Sequence, residues 1–133
     1  MAGKRTKRGE THRLILDAGA VIALARNDQR ARAYLQRAVE LGAEVRIPVV
    51  VLAETHRGRA QDAPVHRIIK AVGNTMPTPV EVGVVAGRIL GETRRSDTVD
   101  ALVVAEAIVA GGGRILTGES FMQVPPSHAR TGQ

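Results

Sequence analysis

Leu14, Ile15 and Leu16 form an apolar run that ends on a carboxylate, Asp17, and residues at helical spacing follow at once. A run this short and wholly apolar marks a strand covered on both faces, as in a parallel sheet, rather than one with a wet side. The chain then alternates. The spacing predicts a helix from Gly19 to about Arg26. A second helix carries Ala31, Tyr34, Leu35 and Ala38 on one stripe, with Gly42 as its stop. Val45 to Ile47 forms the next strand. Pro48 suits a helix start, because its fixed φ and missing N–H cost nothing there, although Val49, Val50, Val51 and Leu52 favour a strand on propensity.

Further on, Val65, Ile68, Ile69 and Val72 mark an amphipathic helix closed by Gly73. Thr78, Pro79 and Glu81 form a capping box with proline at the first helical position, and Val82, Val85, Ala86 and Ile89 continue that helix's stripe. From Asp97 to Ala110 runs a helix that is apolar on nearly all sides except at Asp100 and Glu106, which implies deep burial, and Gly111 to Gly113 end it. Arg114 to Thr117 supplies a last strand. Strands alternating with helices predict an α/β protein: a three-layer α/β/α domain around a short central parallel sheet.

One domain fits the 133 residues. The expected division is a basic arm over 1–12, carrying Lys4, Arg5, Lys7 and Arg8, a folded domain over 13–123, and a tail over 124–133. No apolar run reaches the roughly 18 residues that span a bilayer, so cytoplasmic residence without a membrane partner is expected. Without cysteine there is no thiolate metal site, no disulfide and no cysteine nucleophile. The 19 Lys and Arg against 13 Asp and Glu leave a net charge of +6, mostly arginine, which favours a polyanion such as nucleic acid as partner.

Four acids fall where this architecture gathers ligands, at the carboxyl ends of parallel strands. Asp17 ends the first strand, Glu54 follows the second, Asp100 opens the apolar helix and Glu119 follows the last strand. Each alone reads equally as a cap, a turn residue or a surface charge. Together they demand a compensating cation, and ligation by oxygen alone suits a hard ion, Mg²⁺ or Mn²⁺, rather than zinc. Such an ion activates water and polarises a phosphate oxygen, so phosphodiester hydrolysis fits both charge and site. Asp97, one turn before Asp100, either assists there or caps the helix.

The segment Leu14-Ile15-Leu16-Asp17-Ala18-Gly19-Ala20-Val21-Ile22-Ala23-Leu24 resembles the opening strand, acid and helix of the PIN-domain family. Leu52-Ala53-Glu54 resembles its second acid, Asp100-Ala101-Leu102-Val103-Val104-Ala105 its third-acid helix, and Ile115-Leu116-Thr117-Gly118-Glu119-Ser120 its closing strand and fourth acid. The likeness runs from about 13 to 122, and size and pattern look most like VapC-type toxins. Two positions depart from the pattern: Ala18 stands where many relatives carry a hydroxyl, and Glu119 where aspartate is commoner.

The resemblance implies a Mg²⁺- or Mn²⁺-dependent endoribonuclease whose catalytic metal ligands are Asp17, Glu54, Asp100 and Glu119, with Asp97 a further candidate. It also implies an RNA substrate, a cognate antitoxin laid across the groove, and a homodimer. A non-catalytic PIN-fold binding module, or a PIN nuclease of RNA processing outside any toxin–antitoxin pair, is the alternative. The binding module would be expected to lack an acid, and the first three are all here.

An aspartyl phosphatase would need a second aspartate at the position of Gly19, and Gly111 to Gly118 lack the ending of a phosphate-cradling loop. Arg57 and Arg59, shortly beyond Glu54, fit either RNA steering or a solvated helix face. Thr117 and Ser120 are turn hydroxyls within reach of water or a carboxylate. His12, His56, His66 and His128 show no shared metal spacing and read as surface residues.

Overall fold

The structure, a computed structural model, describes residues 13–72, 74–93, 97–118 and 120–125. The basic arm over 1–12, Gly73, Glu119 and the end of the expected tail lie outside these. The elements run β1 (Arg13–Leu16), α1 (Ala18–Ala25), α2 (Gln29–Glu40), β2 (Glu44–Arg46), α3 (Val49–Thr55), a 3₁₀ turn (Ala60–Asp62), α4 (Ala63–Val72), α5 (Val80–Thr93), α6 (Thr98–Ala110), β3 (Gly113–Thr117) and β4 (Ser120–Val124).

Three helices begin on an aspartate whose side chain accepts a first-turn N–H. Asp17 takes that of Ala20 at 2.9 Å, Asp28 that of Ala31 at 2.9 Å and Asp97 that of Asp100 at 3.0 Å. Pro48 starts α3 despite the strand tendency of the valines behind it, because a helix there buries Val51 completely in the core. α5 begins one residue later than the capping box predicts, at Val80, with the Val82 N–H bonded to the Pro79 carbonyl at 3.0 Å.

The sheet has the order β2-β1-β3-β4. β1 pairs parallel with both β2 and β3, with Ile15 opposite Arg46 on one side and Ile115 on the other. The expected α/β domain is therefore present, with one correction: Arg114 to Thr117 is not the last strand. β4 turns back antiparallel on β3, pairing Leu116 with Phe121 and Gly113 with Val124, so the sheet is mixed and the chain is still core-forming at Val124. Ser120 to Gln123 are exposed, so no apolar run betrays this edge strand. Phe121 is held by an edge-on contact with Tyr34 of α2, 5.3 Å between centroids, and by the Arg114 guanidinium 4.9 Å over its ring.

The core centres on Ile15, Leu16, Ile115 and Leu116 of the two inner strands, with Val21, Ile47 and Val51 packed round them. Each such side chain contributes about 1.5–3 kcal/mol by leaving water. A second cluster, Val82, Ala86, Ala101 and Ala105, joins α5 to α6. α6 is deeply packed as expected, but its two acids part company: Asp100 is exposed, whereas Glu106 is buried and lies 3.9 Å from the Arg46 guanidinium. Arg46 also bonds Glu44 at 2.6 Å, and Glu44 bonds Arg13 at 3.1 Å, so charge is paired across β2 and β1.

Candidate active site

In the strand order, the chain steps from β1 outward to β2 and then returns across β1 to β3. The connections leave β1 in opposite directions, which opens a crevice at the carboxyl ends of β1 and β3. Asp17 stands there. Its N–H bonds the Leu116 carbonyl of β3 at 3.1 Å, tying it to the neighbouring strand, and its carboxylate caps α1. Gly118, just past β3, comes so near that a Cβ on Gly19 would lie 3.2 Å from the Gly118 nitrogen and 3.4 Å from Asp17 Oδ1. Absence of a side chain at position 19 lets the turn close over the start of α1.

α3 and α6 bring further acids to this place. Burial pushes the half-buried Asp17 carboxyl up, and the charge of Asp100 pushes it further, against the pull of the Ala20 and Gly19 N–H groups. Glu54 on α3 is likewise raised by burial and then by Asp100, Asp17 and Asp97, with Arg57 opposing. Four of the five acids singled out in the sequence thus act on one another electrostatically. Glu119 lies outside the described residues. Its neighbours Thr117 and Ser120 face each other with hydroxyl oxygens 3.4 Å apart.

Several expectations change. Asp100 is exposed rather than buried with its helix, and Asp97 is the cap of α6 while its charge still reaches Glu54. Arg57 and Arg59 are not on a helix face, because α3 stops at Thr55 with His56 as its C-cap. His66 is exposed and His56 half-buried, and their rings stack 4.7 Å apart, a contact the sequence did not suggest. Sequence reasoning also missed Asp62, a buried carboxylate in the loop after Glu54. The only signal for it was a Gly between two arginines with an acid three residues on, a turn pattern.

The donor chemistry of the acids, oxygen only, suits a hard divalent cation. Among the described residues no three His, Asp or Glu side chains stand together at metal-holding spacing.

A mixed sheet clothed by helices, with acids on β1's end, α3 and α6 whose charges act on one another, defines an α/β domain that is acidic at its strand ends. The PIN domain family model matches residues 14–125, and the chain belongs to that family. PIN domains are generally nucleases, hydrolases acting on nucleic acid, and generally use divalent metals. Comparison with curated proteins finds no match, and comparison with solved structures finds none either. Among the described residues no helix is long and apolar enough to cross a membrane.

Proposed function

We propose that this chain is a metal-dependent endoribonuclease and the toxin component of a VapBC-type toxin–antitoxin pair, acting in the cytoplasm. The observation that carries the nuclease reading is that Asp100 opposes ionisation of both Asp17 and Glu54, although the three residues come from separate elements. A cation among them relieves that repulsion, and family membership supports a nucleic acid as the substrate.

On this reading Asp17, Glu54, Asp100 and Glu119 hold one or two Mg²⁺ or Mn²⁺ ions, with Asp97 a further ligand candidate. When bound, the metal supplies Lewis-acid polarisation of a phosphate oxygen and an activated water for in-line attack. The protein's own part is positional. The Asp17 carboxylate is aimed by its bond to the Ala20 N–H, and the Asp100 side chain sits in the first turn of a buried helix that fixes its backbone. No side chain acts as a nucleophile.

The partners of this reading are RNA, a cognate antitoxin and a second copy of the chain. The outward face of α5 supports the second copy. Val80 and Val84 are 86% and 59% exposed and continue through Gly87 and Gly91 at coiled-coil spacing, where a solvent-facing helix usually carries charge.

The test is Mn²⁺-supported cleavage of single-stranded RNA by the purified protein, with Asp17→Asn and Asp100→Asn alongside. Loss of cleavage in both variants is expected, and undiminished cleavage in either removes the site. Failure of the protein to bind Mn²⁺ or Mg²⁺ in calorimetry favours a non-catalytic PIN-fold module instead.

A further inference from the structure

A crevice lined with carboxylates repels the polyanion it would cut, so cations must stand beside it to bring a phosphate near. The segment from His56 to Asp62 follows Glu54 after a single residue and carries two arginines. We infer that this loop is a pre-organised clamp for an RNA phosphate next to the acidic crevice, with Arg57 and Arg59 as its positioning residues; the inference rests on the nuclease reading above.

The loop is fixed from inside. Asp62 is only 5% exposed, and one of its carboxylate oxygens accepts the backbone N–H groups of Arg57 at 2.8 Å, Gly58 at 2.9 Å and Arg59 at 3.4 Å. Gly58 has φ +73°, a left-handed conformation that lets three successive N–H groups converge and that other residues adopt at a cost. Stacking of His56 on His66 ties the start of the loop to α4.

The arginine side chains are left to solvent. Asp62 holds backbone and not guanidinium, and among the described residues neither Arg57 nor Arg59 has a carboxylate within ion-pair distance. Arg57 is nevertheless aimed. Its Nη1 donates to the carbonyls of Ala53 at 3.2 Å and His56 at 3.0 Å, which parks the guanidinium over the carboxyl end of α3 and keeps its other nitrogens available. From there its charge reaches Glu54. A planar fork held beside an acid cluster, with spare donors and no carboxylate of its own, matches the bidentate geometry of a phosphate.

The experiment is fluorescence anisotropy of a labelled oligoribonucleotide on the full chain carrying Asp100→Asn to silence cleavage, in Mg²⁺, across a salt series. Arg57→Ala and Arg59→Ala are each expected to weaken binding about fivefold near 0.1 M salt and to reduce the salt slope by about 0.7, the weight of one phosphate contact on a single strand. In the otherwise wild-type chain the same substitutions raise KM while kcat holds. An equal loss in Arg37→Ala, on α2, attributes the effect to bulk charge and overturns the clamp. If the wild-type chain cleaves RNA while Arg57→Ala and Arg59→Ala keep affinity and slope, the clamp falls and the nuclease reading stands. If the wild-type chain neither binds nor cleaves RNA, both fall.

Discussion

Asp100, in the first turn of α6, makes the ionisation of Asp17 harder, although Asp17 ends β1 at the other extreme of the fold's chain order. Asp17 has two engagements at once, a structural bond to the first turn of α1 and an electrostatic conflict with Asp100. The bond alone would be served by asparagine or serine, either of which caps a helix as well as aspartate does. A carboxylate beside another carboxylate is a cost to the fold, and on the function proposed above a bound cation would offset it.

That cost is measurable as pH-dependent stability. Because the folded-state pKa values of Asp17 and Glu54 are raised, the native state holds more protons than the unfolded state, and stability falls as pH rises from the ordinary carboxylate range through the raised values. Asp100→Asn removes the shared repulsion. In EDTA the melting temperature of this variant is expected to fall less steeply than that of the wild-type chain as pH rises out of the carboxylate range. Parallel pH profiles of the two proteins would contradict this.

Divalent ions should reverse the balance. Mn²⁺ is expected to raise the melting temperature of the wild-type chain in a concentration-dependent manner, since it binds only the folded state. Asp17→Asn keeps the helix cap and loses this response, together with at least about a hundredfold of RNA cleavage, more than outer-shell changes at metal sites cost. A full Mn²⁺ response in that variant would place the ion elsewhere.

Glu106 tests a different part of the fold. Burial raises its pKa and Arg46 opposes the rise, so its charge lowers stability as pH climbs above the ordinary glutamate range. Glu106→Gln is expected to be neutral or stabilising in urea unfolding at pH 7. Arg46→Met leaves the buried carboxylate without its cation and should cost about 1–3 kcal/mol. Equal effects of the two substitutions would mean that the 3.9 Å contact carries no weight.

The α5 face yields a prediction about assembly. Val84→Glu places a charge in the middle of the exposed apolar stripe and should convert a dimer to a monomer in light scattering without lowering the melting temperature of the monomer, because Val84 is turned away from the core. A wild-type chain that runs as a monomer at micromolar concentration would remove the dimer from the proposed function.

Much of this arrangement was legible along the chain because it is written in local chemistry. The run Leu14–Leu16 has one reading as a strand covered on both faces, and Asp97 precedes its helix in the manner of a cap, as the bond to Asp100 shows. Pro48 outweighed the valines after it for a reason visible in sequence, its fit to a helix start. β4 was not legible, because an exposed edge strand needs no apolar run and its partner is β3 itself.

The order of residues was enough to predict an α/β domain, most of its helices and a carboxylate at the end of its first strand, since propensity, capping and periodicity act over a few neighbours. It could not say that Asp100 faces solvent while Glu106 is buried, that Asp62 holds the loop bearing Arg57 and Arg59, or that Glu54 feels the charges of Asp17 and Asp100. Those facts depend on which faces of distant elements meet, and burial and electrostatic fields are properties of that meeting in space, with no counterpart in local spacing.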